Sequence, residues 1–368
     1  MNPLRQLETQ GQSVWLDFIT RRFIAQGQLE KLIHEDGITG VTSNPTIFQK
    51  AISGSQDYDA AITLLRQKGK DAPAIFEALA VEDVRRACDV FRPVYEQTAG
   101  GDGYVSLEVN PHLARDAQGT LEEARRLFER VNRPNVMIKI PGTRESLPAI
   151  EQALGEGLNV NVTLIFSLKR YEEVLTAWLS GMERWSKKGK SLRSVASVAS
   201  FFISRVDTLV DGELGKKQGS DPLLGKAAIA NACLAYEIFE KMKAGERFKA
   251  LQAKGAGVQR PLWASTSTKN PHYRDVIYVE ELIGRQTINT LPLPTIEAFR
   301  DHGIVKAALP GNPAESRNLL ARLESAGLSM DSVTRQLEEE GLKLFTDSYD
   351  SLMKTLEQKK ETLKTVLQ

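Results

Sequence analysis

Short runs dominated by β-branched and aliphatic residues alternate along the chain with longer stretches whose apolar positions recur every three or four residues. The short runs predict eight strands, at 13–17, 39–44, 104–109, 135–140, 159–164, 194–200, 260–266 and 286–291. Between them the spacing predicts helices over 18–34, 81–97, 120–132, 144–154, 167–187, 222–243 and 293–302. Val84, Ala87, Phe91 and Val94 show the helical period. Thr120, three places before Glu123, has the form of a capping box. The gap of about 60 residues between the second and third strands leaves room for further helices. Beyond residue 312 two helices are predicted, 313–325 and 330–366. The second carries Leu342, Phe345, Tyr349, Leu352 and Leu356 on one stripe, which predicts that it packs back on the body, with a solvated end of alternating Glu and Lys at 357–364.

Strands alternating with helices imply βαβ units and a parallel sheet. Eight such units without an internal break favour one closed (β/α)8 TIM barrel over an open doubly wound sheet. The expectation is a single α/β domain over 1–368, with the barrel at about 10–311 and C-terminal helices at 312–368. The Gly-rich polar stretch 212–221 reads as a loop.

Composition narrows the function classes. The 368 residues hold 48 Lys and Arg against 47 Asp and Glu, a net charge of +1. That balance argues against nucleic acid or a membrane surface as a partner through bulk electrostatics, and no apolar run is long enough to span a bilayer. Cys88 and Cys233 are too few and too far apart for a disulfide framework and fit a reducing cytosol. With no apolar leader at the N-terminus, a cytoplasmic location is expected. His34, His112, His272 and His302 are isolated, without metal-ligand spacing, so neither metal nor cofactor is expected. The segment 219–226 has the look of a phosphate-binding loop, but it is one residue too long before Gly225-Lys226 and Ala227 stands where Ser or Thr is needed.

The strands carry the chemistry. Their faces alternate with period two. In the third run Val105, Leu107 and Val109 share an outward face and Tyr104, Ser106 and Glu108 an inward one. In the fourth, Val136, Ile138 and Ile140 face out and Met137 and Lys139 in. In the fifth, Val160, Val162 and Leu164 face out and Asn161 and Thr163 in. Asp17, Asn44, Ser200 and Ser265 fall at or near the ends of other runs. Asp17, Asn44, Glu108, Lys139, Asn161, Thr163, Ser200 and Ser265 would gather at the C-terminal rim, where barrel enzymes place their reactive groups. Any one of them alone reads as a turn or cap residue. The charged ones decide: burying Lys139, Asp17 and Glu108 costs several kcal/mol each unless they are paired. Two carboxylates, one amine and several amides and hydroxyls suit catalysis better than a structural ion pair. A lysine in such a place attacks a ketone or aldehyde to form a Schiff base, and the carboxylates move protons. Desolvation lowers the amine's pKa and the neighbouring carboxylates oppose that.

These residues lie in strings that resemble one family. Thr42-Ser43-Asn44-Pro45-Thr46-Ile47-Phe48, Ser106-Leu107-Glu108-Val109, Val136-Met137-Ile138-Lys139-Ile140-Pro141-Gly142-Thr143, Asn159-Val160-Asn161-Val162-Thr163-Leu164-Ile165-Phe166-Ser167 and Ser197-Val198-Ala199-Ser200-Phe201-Phe202-Ile203-Ser204-Arg205 resemble the transaldolases, and the likeness runs from about residue 10 to the C-terminal helix.

The resemblance implies a class I, metal-independent transaldolase of the pentose phosphate pathway on a circularly permuted aldolase barrel. Its substrates would be sugar phosphates, a dihydroxyacetone unit passing from sedoheptulose 7-phosphate or fructose 6-phosphate to glyceraldehyde 3-phosphate or erythrose 4-phosphate. Carried over by position, Lys139 forms the imine, and Glu108, through a water held with Thr163, shuttles protons. Asp17 takes the C4 hydroxyl proton. Asn44, Asn161 and Ser200 bind the C1 and C3 hydroxyls, and Phe202 shapes the donor pocket. Arg205 binds the phosphate. The better-known branch has an arginine two residues after the serine matching Ser265; here Ser267 stands there, and Lys269 is the substitute cation. The family's members are monomers or homodimers. Two rivals remain: a Schiff-base aldolase releasing free dihydroxyacetone, and a silent phosphosugar-binding barrel.

Overall fold

A computed structural model describes residues 2–216 and 221–365. Eight parallel strands close in sequence order into a barrel. They are β1 (Gln12–Leu16), β2 (Ile38–Val41), β3 (Val105–Glu108), β4 (Val136–Pro141), β5 (Val160–Ile165), β6 (Ser197–Phe202), β7 (Arg260–Ala264) and β8 (Thr287–Leu291). Each predicted strand is present, with ends displaced by at most three residues. The Val- and Ile-rich outward faces pack under the ring of helices, which is why the runs are so legible. The register sets the site: Glu108 lies opposite Lys139, and Lys139 opposite Asn161.

The differences from the predicted pattern have local causes. The stretch 18–34 is two helices, Arg21–Ala25 and Gln28–Asp36, because Gly27 takes a left-handed conformation between them. The helix predicted to start at Thr120 runs Ala117–Val131, with Asp116 accepting from the Gly119 N–H at its N-terminus. This aspartate, a turn earlier, displaces the predicted capping box. The Thr120 hydroxyl donates instead to the Leu113 carbonyl, and Glu123 accepts from the Asn110 N–H. Residues 194–196 precede β6 rather than belong to it, Leu192–Ser194 being a 3-10 turn, and the strand continues past Ser200 to Phe202. The region between β2 and β3 holds three helices, Pro45–Ser53, Asp59–Gln67 and Ala72–Gln97. Of the stretch read as a loop at 212–221, its start completes the helix Ser204–Leu214, and 217–220 lie outside the described residues together with Gly219 of the loop-like segment. Val366, the last residue of the predicted C-terminal helix, lies outside them too.

Two side chains depart from the inward–outward assignment. Tyr104 precedes β3; its ring meets Tyr95 of the helix Ala72–Gln97 edge-on at 5.5 Å and its hydroxyl donates to the Gly100 carbonyl, so it lies outside the barrel. Leu164 sits on a bulge where the β5–β6 register slips, with φ of 58°, and it packs against Gly341 of the C-terminal helix. A Cβ at Gly341 would lie 3.0 Å from the leucine's Cδ2, which accounts for the glycine in mid-helix.

The two ends of the barrel do different work. At the N-terminal end Trp15 fills the lumen, so closely that a Cβ on Gly40 would come within 2.6 Å of its indole. The Trp15 indole N–H donates to Asp102 at 2.7 Å, and Arg260 donates to the other oxygen at 3.1 Å and to the Thr287 carbonyl. At the opposite end the helix Met330–Thr365 crosses the rim with Leu342, Phe345, Leu352 and Leu356 buried. It is tied down by Ser348 to Thr46 and by Lys359 to Asp59.

Asp102 is a buried anion that ties β1 and β7 to the turn before β3, and its charge is structural rather than chemical. Asp102→Ala, which strands Arg260, is expected to cost about 3 kcal/mol in urea unfolding. The groups at the C-terminal ends of the strands should keep their arrangement in the folded variant, since they lie at the other end of the barrel.

Candidate active site

At the C-terminal ends of the strands a cavity of about 500 Å³ opens, with Asp17, Lys139, Ser200, Phe202, Arg205 and Lys269 among its walls. Lys139 projects from β4 and is only 4% exposed. Its Nζ donates to the Ser43 carbonyl at 3.2 Å and lies 3.5 Å from Glu108. The ring of Phe345, from the C-terminal helix, stands 5.8 Å away. The amine is therefore walled by one carbonyl, one carboxylate and one aromatic face.

Asp17 follows β1. Its Oδ1 accepts from the Thr42 hydroxyl at 2.7 Å, and Thr42 in turn meets the Thr290 hydroxyl at 2.7 Å. Burial raises the Asp17 pKa, while Lys139 and the threonine work in the opposite direction. Glu108 ends β3. Burial outweighs the attraction of Lys139 and pushes its pKa up to about 7. Neither of its carboxylate oxygens, nor the Thr163 hydroxyl, has a hydrogen-bond partner among the described protein groups. The two acids thus differ: Asp17 is held by a hydroxyl, and Glu108 is poised to exchange a proton near neutrality.

The remaining predicted residues divide into wall and support. Asn44 lines the cavity while its side chain caps the helix Pro45–Ser53 through the Ile47 N–H. Ser200 and Phe202 are on the inward face of β6 and line the cavity. Asn161 is fully buried beneath: its amide donates to Ser106 at 3.0 Å and accepts from Ser200 at 2.7 Å. Ser265 ends β7 with φ of 56° and reaches the Ser204 hydroxyl. Arg205 lies over the Phe202 ring at 5.3 Å. Lys269 bonds Ser267 at 2.5 Å, on the same wall.

Sequence reasoning missed Thr42, Thr290, Lys50 and Phe345, which also line the cavity. Thr42 stood inside a quoted string, but nothing in a string says that its hydroxyl reaches Asp17. Lys50, two turns into a helix, joins Arg205 in depressing the Lys269 pKa, behind burial as the leading cause. Arg205, Lys269 and Lys50 form no ion pair among the described residues, so a concentration of positive charge faces the cavity, suited to a phosphate group. No group of three or more His, Cys, Asp or Glu side chains suited to a metal occurs among the described residues. His112 and His302 sit at the surface beside Asp350 and Asp275. No described helix is long and apolar enough to cross a membrane. A buried amine between two acids, next to cations, can form and hydrolyse an imine with an anionic carbonyl compound and move protons on either side of it.

Residues 14–356 match the Transaldolase/Fructose-6-phosphate aldolase family. The chain is 48% identical to a protein named Transaldolase from Parafrankia sp. (strain EAN1pec), over 96% of this chain and 97% of that protein. It is 47% identical to a Transaldolase from Saccharopolyspora erythraea over 98% of each, and 45% identical to a Transaldolase from Trichodesmium erythraeum (strain IMS101) over 99% of each.

The raised pKa of Glu108 has a consequence for stability. The folded protein holds this proton up to about pH 7, against an ordinary value of 4.5. Ionising Glu108 therefore costs nothing below pH 4.5, and the cost grows as the pH rises to a plateau above 7. A displacement of that size corresponds to about 3 kcal/mol. Glu108→Gln removes the ionisation, so its stability relative to the parent should improve by about 3 kcal/mol between mildly acidic and mildly alkaline pH, read by urea unfolding across that range. A pH-independent difference would place the Glu108 pKa at its ordinary value.

Proposed function

The chain belongs to the transaldolase/fructose-6-phosphate aldolase family and is a transaldolase acting on sugar phosphates, and we propose that Lys139 is its imine-forming amine. The observation that carries this is the placement of one buried amine 3.5 Å from Glu108, at a cavity whose walls also hold Asp17 and the three cations Arg205, Lys269 and Lys50. The Lys139 nitrogen adds to the C2 carbonyl of the donor ketose phosphate. Glu108, with a water shared with Thr163, returns the nitrogen's proton to the carbinolamine oxygen. Glu108 then gives its own carboxyl proton to the carbinolamine hydroxyl, the C–O bond breaks, water leaves, and the nitrogen lone pair forms the C=N bond of the protonated imine.

Asp17 then takes the C4 hydroxyl proton. The C4 oxygen collapses to a carbonyl, the C3–C4 bond breaks, and its electron pair moves through C2 to the iminium nitrogen as an enamine. The aldose phosphate leaves. An acceptor aldehyde arriving at the same place reverses these steps, the enamine carbon attacking it while Asp17 returns its proton. Thr42 orients the Asp17 carboxylate through their 2.7 Å hydrogen bond. Ser200, positioned from below by Asn161, and Asn44 hold the C1 and C3 hydroxyls, so that the three-carbon unit stays bound between half-reactions. Phe202 forms the wall on which Arg205 lies, and Arg205 with Lys269 pairs with the phosphate. Ser265 shapes the turn carrying that second cation. Fructose 6-phosphate and sedoheptulose 7-phosphate fit this scheme as donors, with glyceraldehyde 3-phosphate and erythrose 4-phosphate as acceptors, in the pentose phosphate pathway. Two buried free thiols, Cys88 and Cys233, support a reducing, cytosolic setting.

Borohydride added during turnover of fructose 6-phosphate is expected to place a reduced dihydroxyacetone adduct on Lys139, located by peptide mass spectrometry. Lys139→Ala should take no label and lose essentially all turnover while keeping its far-UV spectrum. An unmodified Lys139 at saturating donor would point to a binder that does no chemistry. Asp17→Ala should still form the imine but cleave it slowly, with turnover down by at least about 100-fold and more trapped adduct per enzyme than the parent. Normal speed in that variant would remove Asp17 from the cleavage step.

A further inference from the structure

Two of the cations that line the sugar cavity come from elements far apart in the sequence. Arg205 is the second residue of the helix Ser204–Leu214, and Lys269 stands in the loop between β7 and the short helix Ile277–Glu280. Burial, then the charges of Arg205 and Lys50, depress the Lys269 pKa. Like charges repel, so before a substrate binds the loop carrying Lys269 is pushed away from the helix carrying Arg205. The bond from Lys269 to Ser267 stays within the loop and does not oppose that push.

Two tyrosines of the same segment do oppose it. The Tyr273 hydroxyl donates to Asp211 Oδ2 at 2.8 Å, and Asp211 Oδ1 accepts from the Gly225 N–H at 2.9 Å. Gly225 has φ of 67°, and a Cβ on it would come within 2.7 Å of the Tyr273 ring, so the glycine leaves the ring its seat. At the foot of the loop the buried Tyr278 hydroxyl donates to the buried Asp207 at 2.7 Å. Within the loop the Thr268 hydroxyl donates to the Arg274 and Asp275 carbonyls at 3.1 and 3.0 Å, which closes the neck around 269–273. Asp207 and Asp211 belong to the helix that begins with Ser204 and Arg205. One helix therefore carries Arg205 and Asp211, and one closed loop carries Lys269 and Tyr273. We infer that the Tyr273–Asp211 hydrogen bond is a clasp that holds Lys269 beside Arg205 against their mutual repulsion, and that Tyr273 and Asp211 are positioning residues for phosphate recognition. Neither lines the sugar cavity, so both act through the lysine. A charge-assisted bond suits the task, since it restrains the loop before the anion arrives and leaves less ordering to be done on binding.

The inference rests on Arg205 and Lys269 being the phosphate cations, and the test separates the two. Tyr273→Phe keeps the ring in its seat and removes the bond. Inhibition by inorganic phosphate, competing with fructose 6-phosphate, reads the anion site, and kcat reads the chemistry. The variant is expected to bind phosphate about fivefold more weakly, with KM for fructose 6-phosphate raised in step and kcat unchanged. Asp211→Ala removes the other partner and should weaken phosphate to the same extent, the double variant being no worse than either. The deciding comparison is made in a Lys269→Ala background, where Tyr273→Phe should no longer change phosphate binding, because the residue it positions is gone. Parental phosphate affinity in Tyr273→Phe would overturn the clasp. So would a loss that persists undiminished in the Lys269→Ala background, since the bond would then serve the fold alone. Lys269→Ala with parental phosphate affinity would instead remove Lys269 from the phosphate site itself. Should Asp211→Ala fail to fold, Tyr273→Phe with and without Lys269 decides alone.

Discussion

Everything at the C-terminal rim follows from placing one amine where water is scarce. Lys139 is 4% exposed, and in the role proposed for it the nitrogen must be free to attack a carbonyl. A tight bidentate partner would hold it charged. The surroundings are looser: a carbonyl at 3.2 Å, a carboxylate at 3.5 Å and an aromatic face at 5.8 Å. Glu108 is also the group whose own ionisation is disfavoured by burial, with a pKa near 7. The Glu108 carboxyl can therefore take up and release a proton beside the amine near neutral pH, the property that proton transfer needs.

The barrel keeps that arrangement by dividing its labour. The far end is tied by Asp102 to Trp15 and Arg260, each charge of that pair answered by the other. The near end carries unmatched groups: two raised carboxyls and, among the described residues, three cations without ion pairs and a Thr163 hydroxyl without a hydrogen-bond partner. Such groups are individually destabilising, and they share the end to which the strands' C-termini point, as the fold's geometry favours. Asn161 shows how support is layered. It does not line the sugar cavity, yet it spends both ends of its amide on Ser106 and Ser200, fixing the wall above it.

How much of this was legible in the sequence depended on whether the cause was local. The middle strands were visible because Val105, Leu107, Val136, Ile138, Ile140, Val160 and Val162 make their outward faces aliphatic, and the period-two rule placed Lys139, Glu108 and Thr163 inward. It failed at Leu164, where a bulge turns the chain, and at Tyr104, which precedes its strand; neither event has a signal in one sequence. The capping box at Thr120 lost to Asp116 because two valid caps compete and only packing against the preceding turn decides. Asn44 shows the reverse: the cap reading and the cavity reading are both true of it. Thr42, Thr290 and Lys50 were illegible because their importance lies in a distance to residues far along the chain.

The C-terminal helix borders two spaces, the sugar cavity and a second cavity of about 400 Å³ against the helices Ala72–Gln97 and Ala117–Val131. Phe345 closes over the amine in the sugar cavity, and Tyr349, one turn on along the same face, lines the second cavity. One apolar stripe, read in the sequence only as a packing surface, thus forms a wall of both. Its seat is set by Gly341 on Leu164 and by Ser348 on Thr46, contacts to β5 and to the helix after β2. A shift of this helix by a fraction of a turn would withdraw the aromatic ring from the amine. The helix therefore sets how dry the amine is, and the stiffness of its seat is as much a part of the chemistry as the acids are.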